Sequence, residues 1–144
     1  MYSFIIFVHV LSAVSLGGFL AYPFIWNSFV SQLNKDILVV PKVIMSYIRF
    51  GHYALVLLLF SGACLILYYS TSPSVLWVVI AIALLVLIGG LLGMIHKKLK
   101  GINLGVFSDK ELIVRLLSLK RDSIIMSLLI LVAIFIMTNR SLFS

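Results

Sequence analysis

Three histidines, His9, His52 and His96, are the side chains of this sequence best suited to chemistry. Each lies within or at the end of a long apolar stretch, and the sequence contains no other histidine. Burying an ionisable side chain in a membrane is costly, so such a residue commonly marks a functional site. A neutral imidazole can bind haem iron or copper through a ring nitrogen. We therefore expect these three histidines to be cofactor-binding residues.

His52 and His96 occur at matching depth, near the basic ends of their apolar stretches. Haem b in a helical bundle is commonly held by two imidazoles that come from different helices at similar depth. Three basic side chains nearby could pair with the haem propionates, namely Arg49, Lys97 and Lys98. The alternative is that His96 is solvated or binds lipid headgroups, because it begins a His-Lys-Lys run at the membrane edge.

His9 belongs to the opposite layer, where Cys64 and Met137 fall within about two helical turns of the same depth. Imidazole, thiolate and thioether ligands together suit the soft ion Cu(I), so these residues form a candidate metal site. A buried cysteine and a gap-filling methionine are also ordinary core residues. His9 could instead be hydrogen-bonded to a neighbouring helix, or be an axial ligand with a weak partner.

The composition indicates that membrane helices position these side chains. Of the 144 residues, 63% are hydrophobic and only 10% are charged, and the mean hydropathy is +1.25. A soluble domain of this size needs far more polar surface. The net charge of +7 does not indicate a nucleic-acid partner, because the basic residues form two blocks between apolar stretches. The blocks instead favour contact with anionic lipid headgroups.

The sequence lacks the motifs of several classes of function and structure. The single cysteine excludes an intramolecular disulfide. The sequence contains no serine-nucleophile elbow, metalloprotease helix motif or phosphate-binding loop, so an enzyme is not the favoured interpretation. The first apolar stretch has no basic segment before it, and we interpret it as a membrane span and not as a cleaved signal peptide.

Four apolar stretches are long enough, or nearly so, to cross a membrane as helices. We place the spans at about 4–26, 50–69, 75–95 and 123–138, within a single domain of residues 1–144. The two basic loops are 27–49 and 97–122. Ten basic residues lie in these loops and one, Arg140, lies on the other side: Lys35, Lys42, Arg49, Lys97, Lys98, Lys100, Lys110, Arg115, Lys120 and Arg121.

This bias places both loops in the cytoplasm and both termini outside. The sequence therefore predicts an all-α membrane protein, an antiparallel bundle of four transmembrane helices, in a prokaryotic plasma membrane. Pro41 suits the first turn of the second helix, which would then start below the membrane. A capping box at residues 108–111 predicts that the last helix starts at about residue 109.

Small residues are expected to bring the helices close together, since lipid supplies no hydrophobic drive for their association. In the first helix Ala13, Gly17 and Ala21 share the face of His9. In the third helix Gly89 and Gly93 precede His96 on one face, and Gly62 lies in the middle of the second. Alternatively, the glycines leave room for a flat ring beside a histidine ligand. Asp122 is expected to be an ion-pair partner next to Lys120 and Arg121.

Phe-Val-His-Val at residues 7–10 is followed by Gly-Gly, and Arg-Phe-Gly-His-Tyr-Ala-Leu occupies residues 49–55. These short motifs resemble the CopD-like superfamily and the HemJ-type protoporphyrinogen oxidases: the first is similar to their first helix, and the second to the CopD start of a helix. His-Lys-Lys at 96–98 and the stretch 115–122, which ends in an aspartate, fall at matching places. The chain departs from the pattern at Trp77, near which a lysine is often found, and in its first loop.

The resemblance implies a four-helix module associated with haem or copper, with His9 and His52 carried over. We expect a redox-associated module that binds haem b or copper, within a larger respiratory complex or as a homo-oligomer. One alternative is a cofactor-free accessory subunit of a larger membrane complex. Another is a copper permease or copper-delivery protein, and an oxidase of the HemJ type is the least favoured.

Overall fold

The computed structural model of the chain describes residues 1–24, 39–68, 73–104 and 109–139. Helix α1, Tyr2–Gly17, is followed by a 3₁₀ segment, Gly18–Ala21. The other helices are α2, Val39–Tyr68, α3, Val75–Leu104, and α4, Asp109–Thr138. They pack as an antiparallel bundle in which sequential helices are neighbours, and α4 closes the ring against the 3₁₀ segment. The predicted fold class is confirmed.

Four helical stretches are long and apolar enough to cross a membrane: Tyr2–Phe24, Ile44–Tyr68, Val75–Ile102 and Glu111–Thr138. The chain is therefore a multi-pass membrane protein. Helices α2, α3 and α4 each have 30 residues, or about 45 Å at 1.5 Å per residue. This length exceeds the hydrocarbon thickness of about 30 Å, so each helix extends beyond it.

Helix occupies much of the two predicted cytoplasmic stretches, 27–49 and 97–122. Helix α3 continues past His96 to Leu104, and Leu99 in this extension is almost fully buried. Leu99 and Ile102 are three residues apart on one face of this extension, and this face keeps packing on the bundle. The expected starts are confirmed: Pro41 lies in the first turn of α2 and α4 begins at Asp109. Ser108 of the capping box lies outside the described residues.

Helix α2 begins, α3 ends and α4 begins at the same end of the bundle. Most basic residues of the sequence lie near these helix ends, so this end of the bundle is basic. We call this the inner end, and the half of the bundle next to it the inner half. The inner half has a closely packed core: Phe19, Leu92 and Met126, from three different elements, have no exposed surface. The opposite half is called the outer half, and both described chain ends lie there.

Two glycines let aromatic rings enter the inner half. A Cβ added to Gly51 would lie 2.5 Å from Cζ of Phe19, and one added to Gly18 would lie 2.6 Å from the hydroxyl of Tyr47. The Phe19 and Tyr47 rings stack with centroids 4.4 Å apart. A side chain at either glycine would collide with this pair, so α1 and α2 depend on them for close approach.

Only some of the small residues that were expected at helix contacts lie at such contacts. Gly62 does contact a neighbouring helix, since an added Cβ would lie 3.3 Å from Cε1 of His9. Gly89 makes only an ordinary contact with Leu55, at 3.5 Å. The prediction is wrong for Gly17 and Gly93, because a Cβ at either would meet no atom of the described residues within 4 Å.

Candidate functional site: three histidines and an apolar cavity

His9 is held from α1 onto α2 by a side-chain hydrogen bond. Its Nδ1 lies 2.9 Å from Oγ of Ser61. That serine is buried, and its hydroxyl donates to the carbonyl of Leu57 at 2.7 Å. A hydroxyl has one proton, so Oγ must accept from the histidine, which places the imidazole proton on Nδ1. The backbone carbonyl of Leu58 also interacts with the ring.

An apolar cavity of about 450 Å³ lies beside His9, and we call it the outer cavity. Residues from all four helices and from the segment before α3 line it. They are His9, Leu58, Leu59, Gly62, Ala63, Leu65, Ile66, Leu67, Pro73, Trp77, Val78, Ala81, Ile82, Leu85 and Met137. The indole N–H of Trp77 donates to the carbonyl of Ile136 at 2.9 Å, which ties α3 to α4 at the cavity wall.

The structure brings two of the three predicted copper ligands to this cavity. His9 and Met137 both line it, whereas Cys64 is half-buried and is not among its lining residues. Side chains advance by about 100° per residue along a helix, so Cys64 faces away although Ala63 and Leu65 contribute to the wall. Within the part of the chain that the structure describes, no three histidine, cysteine, aspartate or glutamate side chains form a metal-binding group.

His52 and His96 lie on the neighbouring helices α2 and α3, towards the inner end. The Nδ1–H of His52 donates to the carbonyl of Ile48, one turn earlier, at 2.9 Å. His96 is half-buried and is close enough to His52 and Arg49 to interact with them electrostatically. The structure therefore places these two histidines and Arg49 near one another, and His9 apart from them in the outer half.

Lys98 has a different environment from the one predicted. Its ammonium group forms an ion pair with the buried carboxylate of Asp122 on α4 and donates to Oγ of Ser118 at 2.8 Å. Arg121 Nε is the more distant cation, 3.8 Å from the same carboxylate. Asp122 is thus an ion-pair partner, as expected, but mainly of a residue on the adjacent helix. Lys97 is exposed at the inner end.

Two residues that shape the outer site were not predicted. Ser61 fixes the His9 tautomer, and the sequence signal for it is a small polar residue beside Gly62 in the middle of a span. Trp77 forms part of the cavity wall, and an aromatic residue near the end of a span was interpreted only as a departure from a family pattern. Neither signal alone specifies the partner helix.

Comparison of the chain with protein-family models, with curated proteins and with solved structures finds no match.

Proposed function

We propose that this protein is a redox-associated module of a prokaryotic plasma membrane that binds haem b near the inner end of its bundle. The ligands are His52 of α2 and His96 of α3. The observation that carries the proposal is the hydrogen bond from His52 Nδ1 to the carbonyl of Ile48. Metal-bound histidines commonly donate their second ring N–H to such an acceptor, which fixes the ring and directs the other nitrogen to the metal.

The surroundings of the two histidines suit haem in three respects. The Nδ1–H tautomer leaves the lone pair on Nε2 of His52 for the iron. Gly93, one turn before His96, has open space where a Cβ would be, as a flat ring beside the imidazole requires. Arg49 lies close enough to His96 to interact with it, and a guanidinium can pair with a propionate carboxylate. Lys98 is already paired with Asp122 and is not included in the site.

The residues at the inner end also indicate which lipids and proteins this protein contacts. Exposed Lys97 and Lys100 suit anionic headgroups of the cytoplasmic leaflet. A haem near the surface of a small bundle would exchange electrons with a neighbouring protein, which supports membership of a larger membrane redox complex or a homo-oligomer.

The first test is a reduced-minus-oxidised visible spectrum of the detergent-purified protein, with iron and copper measured on the same sample. We expect a sharp α-band and about one iron per chain. His52→Ala should abolish the band and leave the helical circular dichroism unchanged, whereas Cys64→Ala should keep both.

Other outcomes separate the alternatives. Undiminished haem in His52→Ala would contradict the assignment. Bound copper without haem would favour the outer pair His9 and Met137, and would favour a copper permease or delivery protein. Neither metal, together with co-purification of a larger complex, would favour the cofactor-free accessory subunit.

A further inference from the structure

We propose that the outer cavity binds a lipid-soluble molecule with a hydroxyl head group, whose hydroxyl donates a hydrogen bond to Nε2 of His9. The apolar body of the ligand would fill the rest of the cavity. This site is separate from the haem site proposed at the inner end and does not depend on it.

The volume and the lining of the outer cavity suit such a ligand. Its 450 Å³ falls within the range of about 300–1,000 Å³ that is usual for small-molecule sites. Aliphatic and aromatic side chains form nearly the whole wall. The indole N–H of Trp77 is already used by the carbonyl of Ile136, so the polar group that the wall offers to a ligand is the imidazole of His9. One polar group in an apolar cavity selects a ligand with one polar group.

The direction of the hydrogen bond follows from the tautomer of His9. Its Nδ1–H donates to Ser61, whose own proton is directed to the carbonyl of Leu57. Nε2 therefore carries a lone pair and accepts. A ligand that bonds to it must donate, as an alcohol or phenol does and as an ether or a ketone cannot.

The cavity opens toward the lipid between α2 and α3. Four of its lining side chains are exposed on the outside of the bundle, Leu59 and Ile66 by 39%, Ile82 by 48% and Leu67 by 81%. Because these side chains face the hydrocarbon of the bilayer, a ligand dissolved in the membrane can reach the cavity without crossing water.

Gly62 links the shape of the cavity to the position of the histidine. An added Cβ would lie 3.3 Å from Cε1 of His9, so the glycine lets the imidazole approach α2 closely while it bonds to Ser61. The ring is thus held by its hydrogen bond to Ser61 and by its contact with α2 at Gly62. A fixed acceptor loses little freedom when it binds a ligand.

The test uses Trp77 as the reporter, in a Trp26→Phe background that removes the other tryptophan. The purified protein is titrated with 4-decylphenol and, separately, with its methyl ether, 4-decylanisole, which has the same body but no hydroxyl proton. We expect a saturable change of Trp77 emission with 4-decylphenol, and binding of the methyl ether weaker by roughly tenfold, as for loss of one hydrogen bond.

Variants test whether His9 is responsible for the tighter binding of the probe that carries the hydroxyl. His9→Leu should bind the two probes equally, and His9→Gln, whose amide oxygen can accept, should keep part of the preference. Ala81→Leu, which fills part of the cavity, should weaken the binding of both probes. Cys64→Ala, on the same stretch of α2 but facing away from the cavity, should behave as the parent protein.

Three results would overturn the proposal. Equal binding of the two probes to the parent would show that the cavity takes any apolar molecule and that His9 accepts no hydrogen bond. A preference retained in folded His9→Leu would place the acceptor elsewhere. A preference that appears or disappears with a copper chelator would assign Nε2 to a metal ion.

Discussion

The inner and outer halves of the bundle are built from the same helices but are packed differently. In the inner half, Phe19, Leu92 and Met126 have no exposed surface, and Gly51 admits an aromatic ring from α1. In the outer half, the same helices surround a cavity of about 450 Å³. Since close packing and polar contacts hold membrane helices together, we expect core substitutions to cost more in the inner half than beside the outer cavity.

The largest effect is expected for the ion pair that joins α3 and α4 in the inner half. Asp122→Ala should destabilise the protein by about 3 kcal/mol, because the ammonium group of Lys98 loses its carboxylate. This is the low end of the range for buried pairs, since the Lys98 side chain is 37% exposed and can be partly solvated. The measurement is reversible unfolding in mixed detergent micelles, followed by circular dichroism. Replacing both partners, Lys98→Met with Asp122→Leu, should recover most of the loss, since no unpaired charge then remains.

Arg121→Ala is the matched control for the ion pair. The side chain of Arg121 is 74% exposed and its Nε lies 3.8 Å from the carboxylate of Asp122, so its removal should cost less than about 1 kcal/mol. Equal losses for Arg121→Ala and Asp122→Ala would mean that the contact with Lys98 does not hold α3 against α4.

The second prediction compares the same truncation on α3 in the two halves. Leu92→Ala, at a position with no exposure, should cost about 3 kcal/mol, because a filled core cannot close the new void. Leu85→Ala, at a buried residue that lines the outer cavity, should cost less, about 2 kcal/mol, since its side chain lacks packing partners on the cavity side. Thermal unfolding of the two variants in the same detergent measures the difference. Equal costs would show that the two halves are packed alike and would contradict the comparison.

The helical architecture could be predicted from the sequence because hydropathy and charge act locally. Charge-free stretches of membrane-spanning length require helices, and Pro41 and the run from residue 109 identified two helix starts that the structure confirms. The end of α3 is not predicted correctly, because the lysines at 97, 98 and 100 are typical of a loop at the membrane edge. Their apolar neighbours, of which Leu99 is almost fully buried, continue the helix.

The details of the candidate sites depend on which helix faces which, and the sequence does not encode this locally. Asp122 was paired with its sequence neighbours, whereas its nearest cation, Lys98, is on α3. Cys64 and Met137 match in depth, but the rotation of α2 keeps Cys64 out of the cavity. Depth can be read from a sequence to within about a turn, whereas rotation about the helix axis is set by packing.

The smallest effect is expected for glycine substitutions, which test whether close packing is confined to specific points of the inner half. Gly51→Ala should destabilise by about 1–2 kcal/mol, since its Cβ would lie 2.5 Å from the buried Phe19 ring. Gly93→Ala should instead be neutral, or stabilising by up to about 1 kcal/mol, because its Cβ meets open space and alanine is the better helix former.

Unfolding of both variants in mixed micelles, without added haem, shows whether each substitution destabilises or stabilises the protein. A destabilised Gly93→Ala would mean that a further copy of the chain, or another protein, packs on that face of α3. A neutral Gly51→Ala would mean that Phe19 can leave its position without cost, and that the inner half is not held by the fit of this ring against α2.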